Sequence, residues 1–492
     1  MVPAVKDEAI QSIYDPQRWG LSPEAVDELG ERLSQFWNRF RECFKTRTRD
    51  TSPYAHSYLR GLLTMEAKRT YANIARRVID RDDDGQNTQQ FMSDSPWDAK
   101  PVFYQIQDEI AANPLIRDGM LCLDESGDEK AGDQSAGAAR QYLGRYGTVG
   151  MGQVGVCLSY HQGGTWAMVD AELFFPERWF DREHAELRAR WHVPEDRRFA
   201  SKVQLGLEMI RQAHRRKLPF SVVGCDCLYG QKNSFRAALD AEGITYMADI
   251  PCDLEVYLEE PEMAVPESPP GKKGRPYSWK RMRRKINPVE ARQVMERSGV
   301  QLQPVEVRHT ERGTLVSECA AQRVWKKSRR GEVRPEWLFI RREPDGSLSY
   351  SLSNAPEDTP LSQLAYWRSE RYFVERTIQD TKSEIGWDEL EARKYRSWMH
   401  HAALSALALW FVEQTKLAWA QSAPPDPELA RQLEIPALPA LSVSNVRELL
   451  RTVLPLQQFT KQDAVQLIVK HLVNRSHSTR CRMQAKQYSD ST

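Results

Sequence analysis

Three acidic residues stand where phosphoryl chemistry would need them. Asp124 closes the apolar run Met120–Leu123, and Asp226 closes the run Phe220–Cys225. Glu375 lies within RYFVERTIQDTK, residues 371–382. Binding sites in open α/β sheets form at strand ends. Three carboxylates converging there can hold two Mg²⁺ ions about 3.5–4 Å apart, which activate a nucleophile and stabilise a leaving oxygen. Such a site breaks or joins phosphodiester bonds. The Glu375 stretch has no Gly or Pro and is amphipathic, which predicts a helix. A period of 3.6 aligns Arg368, Arg371, Glu375, Gln379 and Lys382 on one face, with Tyr366, Phe373 and Thr377 opposite. The carboxylate is thus set among cations suited to gripping phosphate oxygens. An ordinary solvated helix face with a salt-bridge ladder has the same pattern. Among 68 acidic residues, spacing alone does not bring these three together. Glu125 and Asp128 are alternative ligands beside Asp124, which is preferred because it directly ends the apolar run.

The elements that would position these acids form an α/β layer. Met120–Leu123 and Phe220–Cys225 read as buried strands. Residues 153–160 and 165–174 read as two strands joined at Gly163-Gly164. Residues 201–216 and 234–240 read as helices, and 246–250 as a further strand. Before this layer, residues 1–110 look helical, with a Ser22-Pro23 start and Leu33, Phe36, Trp37, Phe40 and Phe44 at helical spacing. Many Arg and Lys lie close by, suiting a DNA-binding module or a solvated basic bundle. The core reads as 111–250 and 336–420, interrupted by a β-rich basic insertion over 251–335. That insertion carries Gly271–Lys285, GKKGRPYSWKRMRRK, with Tyr277, Trp279, Lys280, Arg283 and Arg284. Residues 421–492 read as a helical C-terminal region with a basic tail. No tandem repeat is present.

Composition narrows the class. The chain has 492 residues, and 69 Lys and Arg against 68 Asp and Glu leave a formal charge of +1. A nucleic-acid surface must therefore come from local clustering of cations. Eight cysteines occur without a C-x-x-C pair, so a zinc site or disulfide framework is not expected. The N-terminus lacks the apolar core of a signal peptide, and the longest apolar run, 402–412, is too short for a bilayer. A soluble protein in a reducing cytosol, with no membrane partner, is expected. Gly150, Gly152 and Gly155 spell G-x-G-x-x-G, but an apolar β-branched run follows where a dinucleotide site needs a helix. They are expected to sit in strand and turn. His400-His401 point in two directions on a helix and are expected beside the core rather than on a metal. Cys225 and Cys227 are expected to be buried small apolar residues.

Three segments together resemble the DDE-type insertion-sequence transposases. Residues 121–142, LCLDESGDEKAGDQSAGAARQY, resemble the first-aspartate region, with its Ser-x-Gly-x-Ala-Arg-Gln-Tyr element. Residues 222–230, VVGCDCLYG, resemble the second-aspartate strand with Asp-x-x-Tyr-Gly. Residues 337–354, then Glu375, Lys382, Gly386 and Glu391-Ala-Arg393, resemble the final block, whose signature is Tyr-x-x-Arg-x-x-x-Glu with Lys seven residues on. The resemblance spans roughly 30–400. It implies an RNase H-like mixed-sheet core interrupted by a β-rich insertion, with helical DNA-binding regions at either end. Asp124, Asp226 and Glu375 take the places of the metal-binding triad, and Arg371 and Lys382 those of its basic partners. Arg368 stands where the signature has Tyr, so steps assigned to that tyrosine, including the excision route, do not carry over. The implied activity is Mg²⁺-dependent cleavage at transposon ends and strand transfer, with Mn²⁺ as a substitute ion. Terminal inverted repeats and target DNA are the implied partners, bound by a homodimer in a bacterial, nucleoid-associated setting. Arg368, Lys280, Arg283 and Arg284 are further phosphate-binding candidates. Trp279 is placed either to stack on an unpaired base at the DNA end or simply to pack. A catalytically silent DNA-binding protein and a nuclease without strand transfer are the rival classes.

Overall fold

The computed structural model describes residues 13–489, apart from 22, 145–146, 267–278 and 311–312. The Ser22 cap and the first part of the basic stretch, Tyr277 included, lie outside the described residues.

The apolar run at 120–123 opens an interior strand of a ten-stranded mixed sheet. This strand, β1 (Gly119–Glu129), is longer than the sequence suggests. Residues 124–129 keep pairing with Cys157 back to Gly152 on β3 (Thr148–Gln162), so Asp124 lies mid-strand and not at a strand end. The other strands are β2 (Ala139–Leu143), β4 (Thr165–Leu173), β5 (Phe220–Cys225), β6 (Tyr246–Ile250), β7 (Gln303–Thr310), β8 (Gly313–Lys327), β9 (Val333–Arg342) and β10 (Leu348–Ser353). Their order is β7-β8-β9-β10-β6-β5-β1-β3-β2, with β4 paired to β3. Only β1, β5 and β6 run parallel to one another. β3 and β4 form the expected hairpin, turning at Gly163 and Gly164 with φ of 57° and 94°. The G-x-G-x-x-G glycines lie inside β3, and a side chain at Gly155 would strike the Trp398 ring at 2.5 Å. Close packing, not a phosphate cradle, accounts for that glycine.

The β-rich segment joins the sheet. β8 pairs with β9 from Cys319–Arg341 to Lys327–Val333, so the sheet runs on across residue 335. The remainder of 251–302 contributes two short strand pairs, 255–256 with 289–290 and 263–264 with 281–282.

Helices cover both faces. Those used below are α1 (Leu29–Phe40), α2 (Ser52–Thr64), α3 (Lys100–Ala112), α4 (Lys202–Arg215), α5 (Asn233–Ala241), α6 (Leu361–Glu370), α7 (Tyr372–Ser383), α8 (Tyr395–Ser422), α9 (Val443–Val453) and α10 (Lys461–Ser489). Ser201 caps α4 in a reciprocal capping box with Gln204. One face of the sheet, with Leu121, Leu123, Val223, Cys225 and Ala248, shares a single core with α1–α5, α8 and α9. The other, with Met120, Cys122, Val222 and Met247, is covered by Leu364 and Ala365 of α6 and Val374 of α7. The helix expected over 371–382 is α7, and Arg368 lies on the preceding α6, with Arg371 as the junction between the two. Arg371 keeps helical angles (φ −55°, ψ −27°), and the chain restarts as α7 at Tyr372. No helix among the described residues is long and apolar enough to cross a membrane.

Candidate active site

Strand register builds the site. Leu123 pairs with Cys225, and Cys225 with Ala248. The next residue in each of the three parallel segments is an aspartate: Asp124, Asp226 and Asp249. Side chains alternate across a sheet, so these three share the face of Cys122 and Met247, beneath α6 and α7. The aspartates therefore stand side by side under α6, which carries Arg368, α7, which carries Glu375, and Arg371 between them.

Asp226 leaves β5 and caps a short helical turn, accepting a hydrogen bond from the Leu228 amide at 3.0 Å. The Asp-x-x-Tyr-Gly pattern acquires a structural meaning in this turn. Tyr229 is buried, and its hydroxyl donates to Glu125 at 3.3 Å. Lys202 holds the same carboxylate at 2.7 Å. A side chain at Gly230 would lie 1.9 Å from the Asp249 carbonyl oxygen, so the turn packs directly on β6.

Arg371 lies among the acids. Its Nε is 3.0 Å from Asp249, while its Nη atoms are 3.7 Å from Asp124 and 3.5 Å from Glu375. Burial opposes its charge, but Asp249, then Asp124 and Glu375, more than compensate and push its pKa up. Arg368 is 2.8 Å from the other Asp249 oxygen and 3.9 Å from Glu343. It is largely enclosed in this network, and burial is the main influence lowering its pKa. Glu375 itself is 58% exposed at the rim.

Burial and the neighbouring Asp226 raise Asp124 to about 7, with Glu375 adding a smaller push and Arg371 opposing. Asp226 is raised too, by burial first and then by Glu125. Hard oxygen donors carrying uncompensated mutual repulsion suit a divalent cation in both kind and charge. Asp124 and Asp226 thus fit as the inner pair of ligands. Glu375 is drawn toward Arg371, and among the described residues no three His, Cys, Asp or Glu side chains lie close enough together to hold a metal.

The remaining candidates are dispersed. Lys382 is bound to Asp128 at 2.7 Å and to the Gly127 carbonyl at 3.3 Å, farther along β1 than Asp124. Lys280 packs beside Gly331 in the turn joining β8 and β9. Asp249 aligns through Ser351 with Phe339, six residues from Val333 at the start of β9. At about 3.3 Å per residue, the turn beside Lys280 is roughly 20 Å along the sheet from Asp249. Trp279 is 57% exposed, and Arg284 is a loose 4.0 Å from Glu259, so the described contacts tie neither to the acids. Arg283 likewise follows the 281–282 strand, where its amide donates to the Glu262 carbonyl. His400 and His401 are structural. His400 lies 2.9 Å and 2.8 Å from the Met92 and Trp97 carbonyls, and His401 contacts the Tyr58 hydroxyl at 2.9 Å. Asp249 is the residue that sequence reasoning missed. Its signal was a lone acid in the otherwise apolar strand YMADI.

Residues 39–314, more than half the chain, match the DDE superfamily endonuclease family. The chain belongs to the DDE superfamily of endonucleases. The matched segment of this DDE endonuclease contains Asp124 and Asp226 and ends before Glu375. The mixed sheet with helical regions on either side accords with the RNase H-like architecture of such enzymes. The chain is also similar to a protein of Microchaete diplosiphon described as "Probable transposase for insertion sequence element IS701". The two are 23% identical over 368 residues, which cover 73% of this chain and 83% of the relative. At family level the DDE protein is a transposase of insertion-sequence type that acts on DNA, and endonucleases of this superfamily generally use divalent metals.

Proposed function

We propose that this protein cuts DNA at the ends of its own mobile element and joins the freed 3′-hydroxyl to a target phosphodiester, by a cut-and-paste route. The supporting observation is the register that sets Asp124 beside Asp226, beneath Arg371 and the helix bearing Glu375. Asp124, Asp226 and Glu375 would hold Mg²⁺, for which Mn²⁺ can substitute. When bound, the ion supplies an activated water or hydroxyl and charge compensation at the leaving oxygen. Arg371 would neutralise a phosphate oxygen next to the scissile bond. Lys382 holds Asp128 and so steadies β1 just beyond Asp124. The basic helical ends would bind terminal inverted repeats through phosphates. Two ends recombined together call for a homodimer on DNA, in the cytoplasm at the nucleoid.

The test is cleavage of labelled duplexes carrying the gene's own flanks, mapped to the nucleotide, with Mg²⁺ or Mn²⁺. Cuts at defined ends, and joined products, are expected; both disappear with EDTA and in Asp226→Asn. Binding without cutting would establish a silent DNA-binding protein. Scattered cuts without joining would establish a plain nuclease.

A further inference from the structure

Two edges of the Arg371 guanidinium are held very differently. The Nε side lies 3.0 Å from Asp249. The Nη side lies 3.5 Å from Glu375 and 3.7 Å from Asp124, beyond hydrogen-bond length. Asp249 is itself well fixed: 7% exposed, on a strand, and accepting from the Ser351 hydroxyl at 2.7 Å. Its Oδ1 also meets Arg368 at 2.8 Å. Both arginine contacts are ion pairs without full hydrogen-bond alignment, so charge rather than directionality holds them. One buried carboxylate thus gathers two guanidiniums, and the less satisfied edge of one points at the proposed reaction centre.

We propose that Asp249 is a positioning residue for DNA cleavage, which anchors the Nε side of Arg371 so that its Nη edge faces the phosphate above Asp124 and Asp226. This rests on the phosphodiester reading above. A phosphate oxygen is a better acceptor for that edge than either loosely placed carboxylate. On substrate binding, the Nη contacts exchange while the Asp249 contact stays. Arg371 then needs no search through its rotamers, and it does not collapse onto Asp124. The same contact explains Arg368 at the signature tyrosine position: its charge is spent on Asp249, inside the protein, as the second half of the clamp. Space for the arrangement comes from Gly224, where a Cβ would sit 3.7 Å from Arg371 Cγ and 2.3 Å from Met120 Cε.

The experiment uses the full chain and labelled duplexes from the gene's flanks, in single-turnover cleavage with Mn²⁺. Asp249→Asn is expected to cut about 10–100-fold more slowly, as misplacement of a phosphate-gripping group does. Its duplex affinity should stay within about threefold, since many phosphate contacts share the binding. In an Arg371→Gln background, Asp249→Asn should cost less than about threefold more, because the two act as one unit. An equal loss in both backgrounds would mean a structural role and would overturn the proposal, as would unimpaired cutting by Asp249→Asn. Should Asp249→Asn fail to fold, Ser351→Ala loosens the same carboxylate without removing it; a loss confined to the Arg371 background is again expected, and none in either background overturns the idea. Should the wild-type chain cut no flank, the proposed function falls, and a crystal structure of Asp249→Asn, or of Ser351→Ala where Asp249→Asn does not fold, decides this inference separately. Arg371 left in place there sinks it, and Arg371 displaced supports it.

Discussion

With Asp226 beside it and little water around it, the Asp124 carboxyl titrates at about 7, against an ordinary 3.8. The folded protein then holds a proton that the unfolded chain releases, so stability falls as pH rises from about 4 to about 7. At 1.36 kcal/mol per pH unit, the full effect is about 4 kcal/mol, reached above pH 7. Asp124→Asn cannot ionise and escapes it. In EDTA, the variant should melt above the wild type at pH 8, and the gap should shrink to near zero by pH 4. Adding Mn²⁺ at pH 8 should raise the wild-type melting temperature and leave the variant unmoved. Equal melting of the two proteins at pH 8 in EDTA would show that Asp124 carries no such strain. Asp124 stands out in the sequence as an acid ending an apolar run. Its place in mid-strand was not legible there: the pairing of 124–129 is provided by β3, some thirty residues on, and those residues are too polar to read as strand.

At the scale of elements, the turn after β5 carries Asp226 and the α6–α7 junction carries Arg371. Gly230 ends the turn that Asp226 caps, and its amide donates to the Asp226 carbonyl at 2.8 Å. A methyl group there meets main chain, not a flexible side chain, 1.9 Å away at Asp249. Gly230→Ala must therefore push the turn off β6, and a cost of about 3 kcal/mol is expected from a buried backbone clash. Urea unfolding would measure it, and cleavage should fall more than stability alone explains, because Asp226 and Asp249 move apart. A variant with wild-type midpoint and activity would remove the turn from the argument. The α6–α7 break gave no local signal, having neither Gly nor Pro. Beside it, Glu370 is buried 2.7 Å from His161 on β3 and 3.2 Å from Arg308 on β7. Phe373 packs on His161 at a ring separation of 4.3 Å. These contacts seat the start of α7, and with it Arg371, on the sheet. Asp249 escaped notice for a similar reason. Its partners lie more than a hundred residues downstream, and sequence spacing carries no trace of them.

Across the whole molecule, the helices before residue 113 are not a detachable arm. Leu33, Phe36, Tyr58, Leu62 and Phe103 share one core with Leu121 and Leu123 of β1 and with α8. The tie is also polar and buried. His400 stacks on Trp97 at 3.7 Å and reaches two carbonyls of the N-terminal region, and His401 meets Tyr58. Burial pushes these histidines down to about 3 and about 4, so both stay neutral and keep those contacts above pH 5. Arg69 pairs with Glu389 and Arg447 with Glu384, closing the N- and C-terminal helices over the end of α7. The aromatic spacing of residues 33–44 was readable as core, but a sequence reading has no means of telling whose core it is. The consequence concerns how the chain unfolds. Removing residues 1–112 would strip α8 of its cover and expose a large apolar face, so a 113–492 fragment should aggregate or fail to fold. The full chain should lose its N-terminal helices and its sheet together. Hydrogen exchange followed by mass spectrometry through a urea titration separates the possibilities: protection in residues 52–64 and in 119–129 should collapse at the same midpoint. A folded 113–492 fragment that still binds flank DNA, or protection lost first in 52–64, would show instead an N-terminal module that only leans on the catalytic sheet.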